Sequence, residues 1–341
     1  MIVSVIIPCR NEVKNIAHCV EAVYASKLPD DYQLEVLIID GQSDDGTLVI
    51  IEALKQRFVN LRCLNNPQQI TPTAFNIGIL AARGDFIQII GSRQILAPDY
   101  IARGTARLNK NSEIWCVGGK VQNIFKNNMG RIIAGAMDTG FGVGGTNFRV
   151  KKLSGFVDTV GTPIFPKNIF NNIGLFDEKL IRNQDDDFSF RIIKSGGKIY
   201  LDVEMQLFYE VRGNLKNLFR QYLQYGYWKI YVNRKHGMIT TVRQLIPPIF
   251  ILFLVIGWLP GLFLLNLFFA YCLVVLIYVL VSFIFAFKKA ENFLEVLKYV
   301  SVFLTLHFGY GIGYLHGIIH FLIFRADSAT QNKTILTRCL L

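Results

Sequence analysis

The sequence predicts an α/β domain on a doubly wound, mostly parallel sheet, followed by a helical membrane region. Three observations predict it. Short apolar strand-like runs alternate with helical stretches over the first hundred residues. From Leu245 to Leu265, and again from Leu267 to Phe287, the chain is apolar for about the ~20 residues a bilayer helix needs. The 341 residues are 52% hydrophobic with a mean hydropathy of +0.34, yet 18% charged, which suits neither a wholly soluble nor a wholly embedded chain.

Ile2 to Ile7 reads as the first strand. The run is too short for a signal peptide and leads into Cys9-Arg10-Asn11-Glu12 with no small-residue cleavage site. Further strands are expected at Leu34 to Ile39, Leu61 to Leu64 and Phe86 to Ile90, with helices near 12–25, 46–57 and 72–83. This alternation argues for a parallel sheet, in which ligands sit beyond the carboxyl ends of the strands. Chemistry is therefore sought at Pro8 to Glu12, Asp40 to Thr47, Asn65-Asn66 and Gly91 to Arg93. The Gly-rich stretch Gly118 to Gly161 is expected to be irregular rather than more sheet, either a mobile acceptor-side region or a plain surface loop.

The two uncharged runs predict a tight transmembrane hairpin turning at Asn266 or, a little earlier, at Pro260-Gly261. Arg234, Lys235 and Arg243 precede it and Lys288-Lys289 close it, so the positive-inside bias puts the N-terminal domain in the cytoplasm of a cytoplasmic (inner) membrane protein. A third apolar stretch, Val300 to Phe324, either spans or is re-entrant. Its Gly309, Gly313 and Gly317 make a smooth face for another helix. His316 and His320 in it are expected to hydrogen-bond a neighbouring helix or a lipid headgroup, since two ligands are too few for a metal. The expected organisation is a catalytic domain over 1–213, an amphipathic interfacial segment over 214–243, a membrane region over 244–324 and a tail over 325–341. For the basic, aromatic helix of the second segment, a bilayer-interface role and a plain cover for the sheet both stand.

Composition also excludes. Disordered, collagen-like and disulfide-stapled classes need residue usage this chain lacks. The six cysteines are scattered with no zinc spacing, so reduced thiols are expected. The net charge of +11 does not imply nucleic acid. Residues 1–240 hold 29 Lys and Arg against 22 Asp and Glu, and the basic residues gather just before the apolar region, which suits an anionic lipid surface or a lipid diphosphate.

Two clusters carry chemistry. Asn183-Gln184-Asp185-Asp186-Asp187 crowds three carboxylates at a loop-to-helix junction, expected near Phe188, where one can serve as a general base and others bind a cation or cap the helix. In Asp40-Gly41-Gln42-Ser43-Asp44-Asp45-Gly46-Thr47, Asp40 is placed to accept from a nucleobase N–H, and Ser43 or Asp44 to cap the helix. A plain capped turn without ligand remains the alternative at both.

Together with Val5-Ile6-Ile7-Pro8, Ala74-Phe75-Asn76-Ile77-Gly78, Ala82-Arg83-Gly84-Asp85, Val157-Asp158-Thr159-Val160 and Ile173-Gly174-Leu175-Phe176-Asp177-Glu178, this order resembles family 2 glycosyltransferases of the GT-A fold, from Met1 to about His236. It is most similar to the membrane-anchored branch that builds exopolysaccharides such as succinoglycan on a lipid carrier. The resemblance implies inverting transfer of a sugar from a nucleotide-diphosphate donor, most often UDP-linked, to a lipid-linked saccharide, with Asp185 as base. It implies that Asp40 reads the nucleobase, that Pro8, Arg10 and Glu12 line the nucleotide pocket, and that Asn183, Asp185 and Asp186 face sugar and acceptor. Gln224-Tyr225-Gly226-Tyr227-Trp228 looks like the family's Gln-x-x-Arg-Trp element, which implies Trp228 near the acceptor.

Four charged positions depart from the pattern, three of them neutral and one, Arg93, reversed in sign. The family's Asp-x-Asp for Mg²⁺ or Mn²⁺ is Gly91-Ser92-Arg93 here, the Glu before the base is Gln184, and the Arg of the later element is Tyr227. A diphosphate leaving group still needs positive charge, so the expectation is that Arg93, helped by Arg10, contacts the diphosphate. The competing expectation is a protein of this build that binds a nucleotide sugar, lipid carrier or partner enzyme without catalysing transfer. Two or three membrane helices are too few for a polymer channel, which favours single-sugar transfer; direct transfer to polyprenyl phosphate stays open.

Overall fold

The computed structural model describes residues 1–144, 148–150, 152–240 and 242–326. Of the tail expected over 325–341, everything beyond Ala326, including Cys339, lies outside the described residues. The described chain forms two compact units, 1–122 with 148–210, and 123–144 with 211–326.

The first unit begins with β1 (Ile2–Cys9), α1 (Ile16–Tyr24), β2 (Gln33–Asp40), α2 (Thr47–Arg57), β3 (Leu61–Asn65), α3 (Thr71–Ala81) and β4 (Phe86–Ile89). The expected elements are all present, within a few residues of their predicted ends. β1 and β2 are near-continuous apolar runs because both faces of a parallel sheet are covered. Alternate residues then serve two cores: Val3, Val5 and Ile7 pack with Ile16, Val20, Val36 and Ile38, while Ile6 packs with Leu37, Ile39, Phe75 and Phe188. α3 crosses so close to β1 that a Cβ on Gly78 would press into the Ile6 side chain.

The unit continues with β5 (Gln94–Leu96), α4 (Tyr100–Lys110), β6 (Ile114–Ile124), β7 (Gly155–Phe156), β8 (Gly161–Pro166), α7 (Ile169–Ile173), α8 (Gln184–Lys194) and β9 (Lys198–Glu210); α5 (Asn128–Met137) and α6 (Gly140–Val143) leave for the second unit. The sheet runs β3-β2-β1-β4-β8-β6-β9-β5, with β7 paired to β9. β3, β2, β1 and β4 are mutually parallel. β8 joins β4 antiparallel, and β6 joins β8 likewise. The sheet is therefore mixed, with the parallel half where the strand–helix alternation placed it.

The expectation of an irregular stretch from Gly118 to Gly161 is corrected. Its ends are central strands, and its middle holds α5 and α6. The glycines misled because they serve packing: a Cβ on Gly119 would collide with the Met205 carbonyl, and one on Gly118 would crowd Val160.

The second unit adds α9 (Leu215–His236), α10 (Ile246–Ile256), α11 (Leu265–Phe287) and α12 (Phe293–Gly317), the last extended by a π turn over Ile318–Ile323. Three stretches, Val242–Leu262, Leu265–Phe287 and Phe293–Ile323, are long and apolar enough to cross a membrane, and the chain is a membrane protein. Of the two turn positions, the structure takes the earlier. Regular helix stops at Ile256, Pro260-Gly261 lies in a 3₁₀ turn, and Asn266 is already inside α11. The glycine face of the third stretch is packed as expected, and its partner is α9: Gly309 meets the Phe219 carbonyl at 3.1 Å and Gly317 that of Tyr227 at 2.6 Å, measured from a built Cβ. His320 Nδ1 lies 2.8 Å from the Tyr227 hydroxyl, the neighbouring-helix hydrogen bond that was expected.

Candidate active site

β1 lies between β2 and β4, so the strand order reverses there, and the crevice between the carboxyl ends of β1 and β4 is the sheet's switch point. Glu12 follows β1 and Arg93 follows β4. They form an ion pair across that crevice, Arg93 Nε donating to Glu12 Oε1 at 2.7 Å. Glu12 is 2% exposed, and its second oxygen accepts from Asn15 Nδ2 at 2.7 Å. Among the described residues the Arg93 Nη groups have no hydrogen bond or ion pair. Gln94 shapes the turn, its Oε1 accepting from the Gly91 N–H at 2.7 Å and from the Thr162 hydroxyl at 3.0 Å. Arg10 is half-buried beside Gly41, with no hydrogen bond or ion pair among the described residues. Pro8 is buried in β1.

One strand further, the register sets Cys9 beside Asp40 and Asp40 beside Asn65. Asp40 is 4% exposed and accepts from Ser43 Oγ at 2.5 Å and Ser43 N at 3.0 Å. A carboxylate has about four acceptor sites, so two remain. The capping expectation is corrected. Ser43 Oγ is used by Asp40 and by the Asn11 N–H, the Asp44 N–H donates to Asn11 Oδ1, and it is Asp45 that accepts from the Thr47 N–H and hydroxyl at the start of α2. Desolvation raises the Asp45 carboxyl, and the donors of Thr47 and Val13 outweigh it, holding the group below the usual range.

The left-handed region is populated by four non-glycine residues that end or follow these segments: Asn11 (φ 55°), Gln42 (58°), Gln69 (60°) and Asn183 (60°). Such residues are costly outside turns that enforce them and cluster at ligand sites. Beside them, buried Asn66 has a side-chain oxygen with no partner.

The acidic cluster sits on α8, which starts at Gln184 rather than near Phe188 as expected. Asn183 in left-handed conformation precedes it, and no side chain caps it. All three carboxylates thus fall in the first turn, where the helix dipole favours negative charge. They divide: Asp187 is fully buried and pairs with Arg191 Nε at 3.1 Å, Asp186 is half-buried, and Asp185 is exposed. Asn183 is 7% exposed.

What holds α8 was not legible in the sequence. Arg191 also donates to the carbonyls of Ile173 (2.6 Å) and Leu175 (2.9 Å), and Phe188 stacks on Phe176 at 4.4 Å. That loop is clamped in turn by Asn76, whose Nδ2 donates to the Phe176 carbonyl and to Glu178 and whose Oδ1 accepts from the Phe176 N–H. Asn76 thus steadies the loop under α8 from 100 residues away along the chain, and Arg191 ties the helix to that loop by reaching back 18 and 16 residues.

The turn Gly91-Ser92-Arg93 does not fit a divalent cation. It offers one residue without a side chain and one guanidinium already paired to the nearest buried carboxylate. Among the described residues no group of three or more His, Cys, Asp or Glu side chains is placed to hold a metal. The nearby thiols are inert as nucleophiles. Burial, then the charges of Asp40 and Glu12, pushes Cys9 far up, and burial with Glu12 pushes Cys19 up to about 12. Trp228 lies in the second unit, fully buried, with Phe321 at 5.7 Å and Tyr231 at 5.9 Å.

A strand order reversing at an ion-paired crevice, an acidic turn after the second strand and a carboxylate-headed helix define a sugar-nucleotide-type transferase of the GT-A fold. The chain belongs to glycosyl transferase family 2, whose model matches residues 4–173. It is 32% identical over 240 residues, 68% of this chain and 74% of the relative, to a dolichyl N-acetyl-α-D-glucosaminyl phosphate 3-β-D-2,3-diacetamido-2,3-dideoxy-β-D-glucuronosyltransferase of Methanococcus voltae. It is 26% identical over 246 residues, 71% of this chain and 73% of the relative, to the succinoglycan biosynthesis protein ExoA of Rhizobium meliloti. The fold is shared with GalNAc-T7, solved with UDP, GalNAc and Mn²⁺ (TM-score 0.51, 17% identity, 68% of this chain and 49% of that one). It is shared equally with the mannosyltransferase PcManGT of Pyrobaculum calidifontis, solved with GDP-Man and Mn²⁺ (TM-score 0.50, 18% identity, 68% and 64%).

Proposed function

We propose that this protein moves one sugar, with inversion, from a nucleotide-diphosphate donor to a lipid-linked saccharide during cell-surface polysaccharide synthesis, working at the cytoplasmic face of the cytoplasmic membrane. The Arg93–Glu12 pair carries the reading, because it puts a tethered cation where the family's pattern calls for a metal. An acceptor hydroxyl attacks the anomeric carbon while Asp185 takes its proton. The bond from that carbon to the diphosphate oxygen breaks, and the diphosphate leaves with the electron pair. The Arg93 Nη groups, helped by Arg10, stabilise that charge by charge-assisted hydrogen bonds. Asp40 accepts from the base, uracil in the UDP-linked case; Pro8 and Glu12 wall the nucleotide side; Asn183 and Asp186 meet the sugar. Trp228 belongs to the element that the family's pattern assigns to the acceptor.

The lipid-linked acceptor is supported by the two relatives, one named for a dolichyl phosphate substrate and one for succinoglycan biosynthesis. A second reading, ligand binding without transfer, is favoured by the neutral residues at Gly91 and Gln184. Membranes containing the full chain, given a labelled UDP-sugar and a lipid-linked saccharide pool, should release UDP and label lipid, and Asp185→Asn should abolish both. Donor binding with no release in the wild type establishes the second reading instead.

A further inference from the structure

Length and hydropathy class α12 with the two hairpin helices, but its surroundings differ. Of the most apolar 18 residues in each candidate span, 44% are buried in α12, against 11% and 6% in the other two. The cover comes partly from the hairpin, since Gly311 meets Ile251 and the Pro247 carbonyl of α10 and His307 Nδ1 lies 2.9 Å from the Tyr278 hydroxyl of α11, and partly from elements that bring polar groups. Arg131 of α5 pairs with Glu291 at 3.1 Å and with Glu295, and His307 Nε2 lies 2.8 Å from the Phe141 carbonyl beyond α6's first residue. From Gly309 onward the cover includes α9, which runs parallel to α12 in step: Phe219 meets Gly309, Tyr227 meets Gly317 and His320, Tyr231 meets Phe321, and Arg234 donates to the carbonyls of Phe321 (3.0 Å) and Ala326 (2.8 Å).

α9 carries Lys216, Arg220, Lys229, Arg234 and Lys235 in 22 residues and is not apolar enough to cross a membrane. A helix locked to it in register shares its depth. Threading α12 through the bilayer would draw several of these cations into hydrocarbon, at about 2.5–3.5 kcal/mol each even on the lenient insertion scale. Past its first turn, what α12 leaves exposed is a stripe of Leu297, Leu304, Ile312 and His316, which at 100° per residue falls on roughly 120° of arc, and the π turn that follows adds Ile319, Leu322 and Ile323.

We propose that α12 lies in the plane of the membrane–water interface with this stripe in the lipid, so that the chain crosses the bilayer only twice, through α10 and α11. The lipid surface is the occupant because the stripe is continuous in sequence with the transmembrane hairpin and is flanked by the cations of α9 and by Lys288 and Lys289. Two crossings put everything after Ala326 on the same side as the catalytic unit; three would put it opposite. The inference does not rest on the transferase reading.

The test uses the full chain with an epitope tag at each end, in sealed inside-out membrane vesicles treated with protease. The expected result is that both tags share one fate, whichever side that is; one tag digested and one protected overturns the proposal. In the same chain, nitroxides attached at Leu304→Cys and Ile319→Cys should report equal depths near the headgroups. A spanning helix separates them by about 22 Å at 1.5 Å per residue, and unequal depths with tags on one side overturn the in-plane placement in favour of a re-entrant helix. A wild-type melting midpoint in each labelled variant verifies folding.

Discussion

The two ends of the parallel strands are built to different ends. At the amino end, Glu35 accepts from the Ser4 hydroxyl (2.6 Å), the Arg83 N–H (2.9 Å) and Arg62 (3.1 Å), Ser4 accepts from the Gly84 N–H (2.8 Å), and the Asp85 carboxylate takes the Ile2 N–H (2.9 Å). Every donor named there has a partner, in ordinary backbone geometry. At the carboxyl end, Asn11, Gln42, Gln69 and Asn183 stand in left-handed conformation and the Asn66 oxygen is unpartnered. One sheet thus concentrates satisfied polar networks at one edge and strain at the other, which separates residues kept for stability from residues kept for a ligand.

Breaking the carboxyl edge should cost activity, with stability lost as well where the buried Arg93–Glu12 pair is broken. The largest effect is expected from Asp185→Asn, a loss of roughly 10²–10⁴-fold in kcat, as for a general base, with the thermal midpoint lowered only slightly because the side chain is exposed and its first-turn charge contributes about 0.3–1 kcal/mol. Sugar-transfer rate and a melting curve on the same preparation check both halves. Arg93→Ala should lower kcat by about 10²–10³-fold, the scale of losing a charge-stabilising donor. It should also destabilise by about 3–5 kcal/mol, because Glu12 is left buried and unpaired. Arg93→Lys, which keeps the charge but not the fork, should recover much of the stability and little of the rate.

Breaking the amino edge should do the reverse. Glu35→Gln leaves donors of Ser4, Arg62 and Arg83 poorly matched and should cost about 1–3 kcal/mol with kcat unchanged. Burial raises the Glu35 carboxyl, but the hydrogen bonds from Arg83, Ser4 and Arg62 outweigh it and hold it below the usual range. A folded value below the unfolded one gives stability that is fully present above the unfolded value and is lost as pH falls through the folded one. Melting curves across that acid window should therefore fall for the wild type and be flatter for Glu35→Gln. The smallest effect is expected at Gln69→Gly, which relieves a φ of 60° and should raise the midpoint by roughly 1–3 °C.

The strands and helices of the parallel half were legible because hydrophobic runs and their periodicity are local. So was the switch-point crevice, since a parallel sheet dictates where its ligands sit. Asp40, Asp185 and Arg93 stood out for the same reason: each follows a strand or heads a helix. The clamp from Asn76 through Glu178 and Arg191 to α8 was not legible, because it joins side chains far apart in sequence. The capping of α2 by Asp45 rather than Ser43 was missed since several adjacent residues were equally suitable and the tertiary contact with Asn11 chose between them. Gly118 and Gly119 looked like loop residues because composition does not distinguish a glycine needed for flexibility from one needed for close packing.

The central claim is that the guanidinium held by Glu12 does the work of the missing metal ligands. Its most direct test is the rate of UDP release from a UDP-sugar with acceptor, measured in EDTA and in Mn²⁺, for the wild type and Arg93→Lys. The account predicts that the wild type turns over equally in both and that Arg93→Lys is slow in both. A wild type silenced by EDTA and restored by Mn²⁺, with Arg93→Lys behaving the same way, would contradict it.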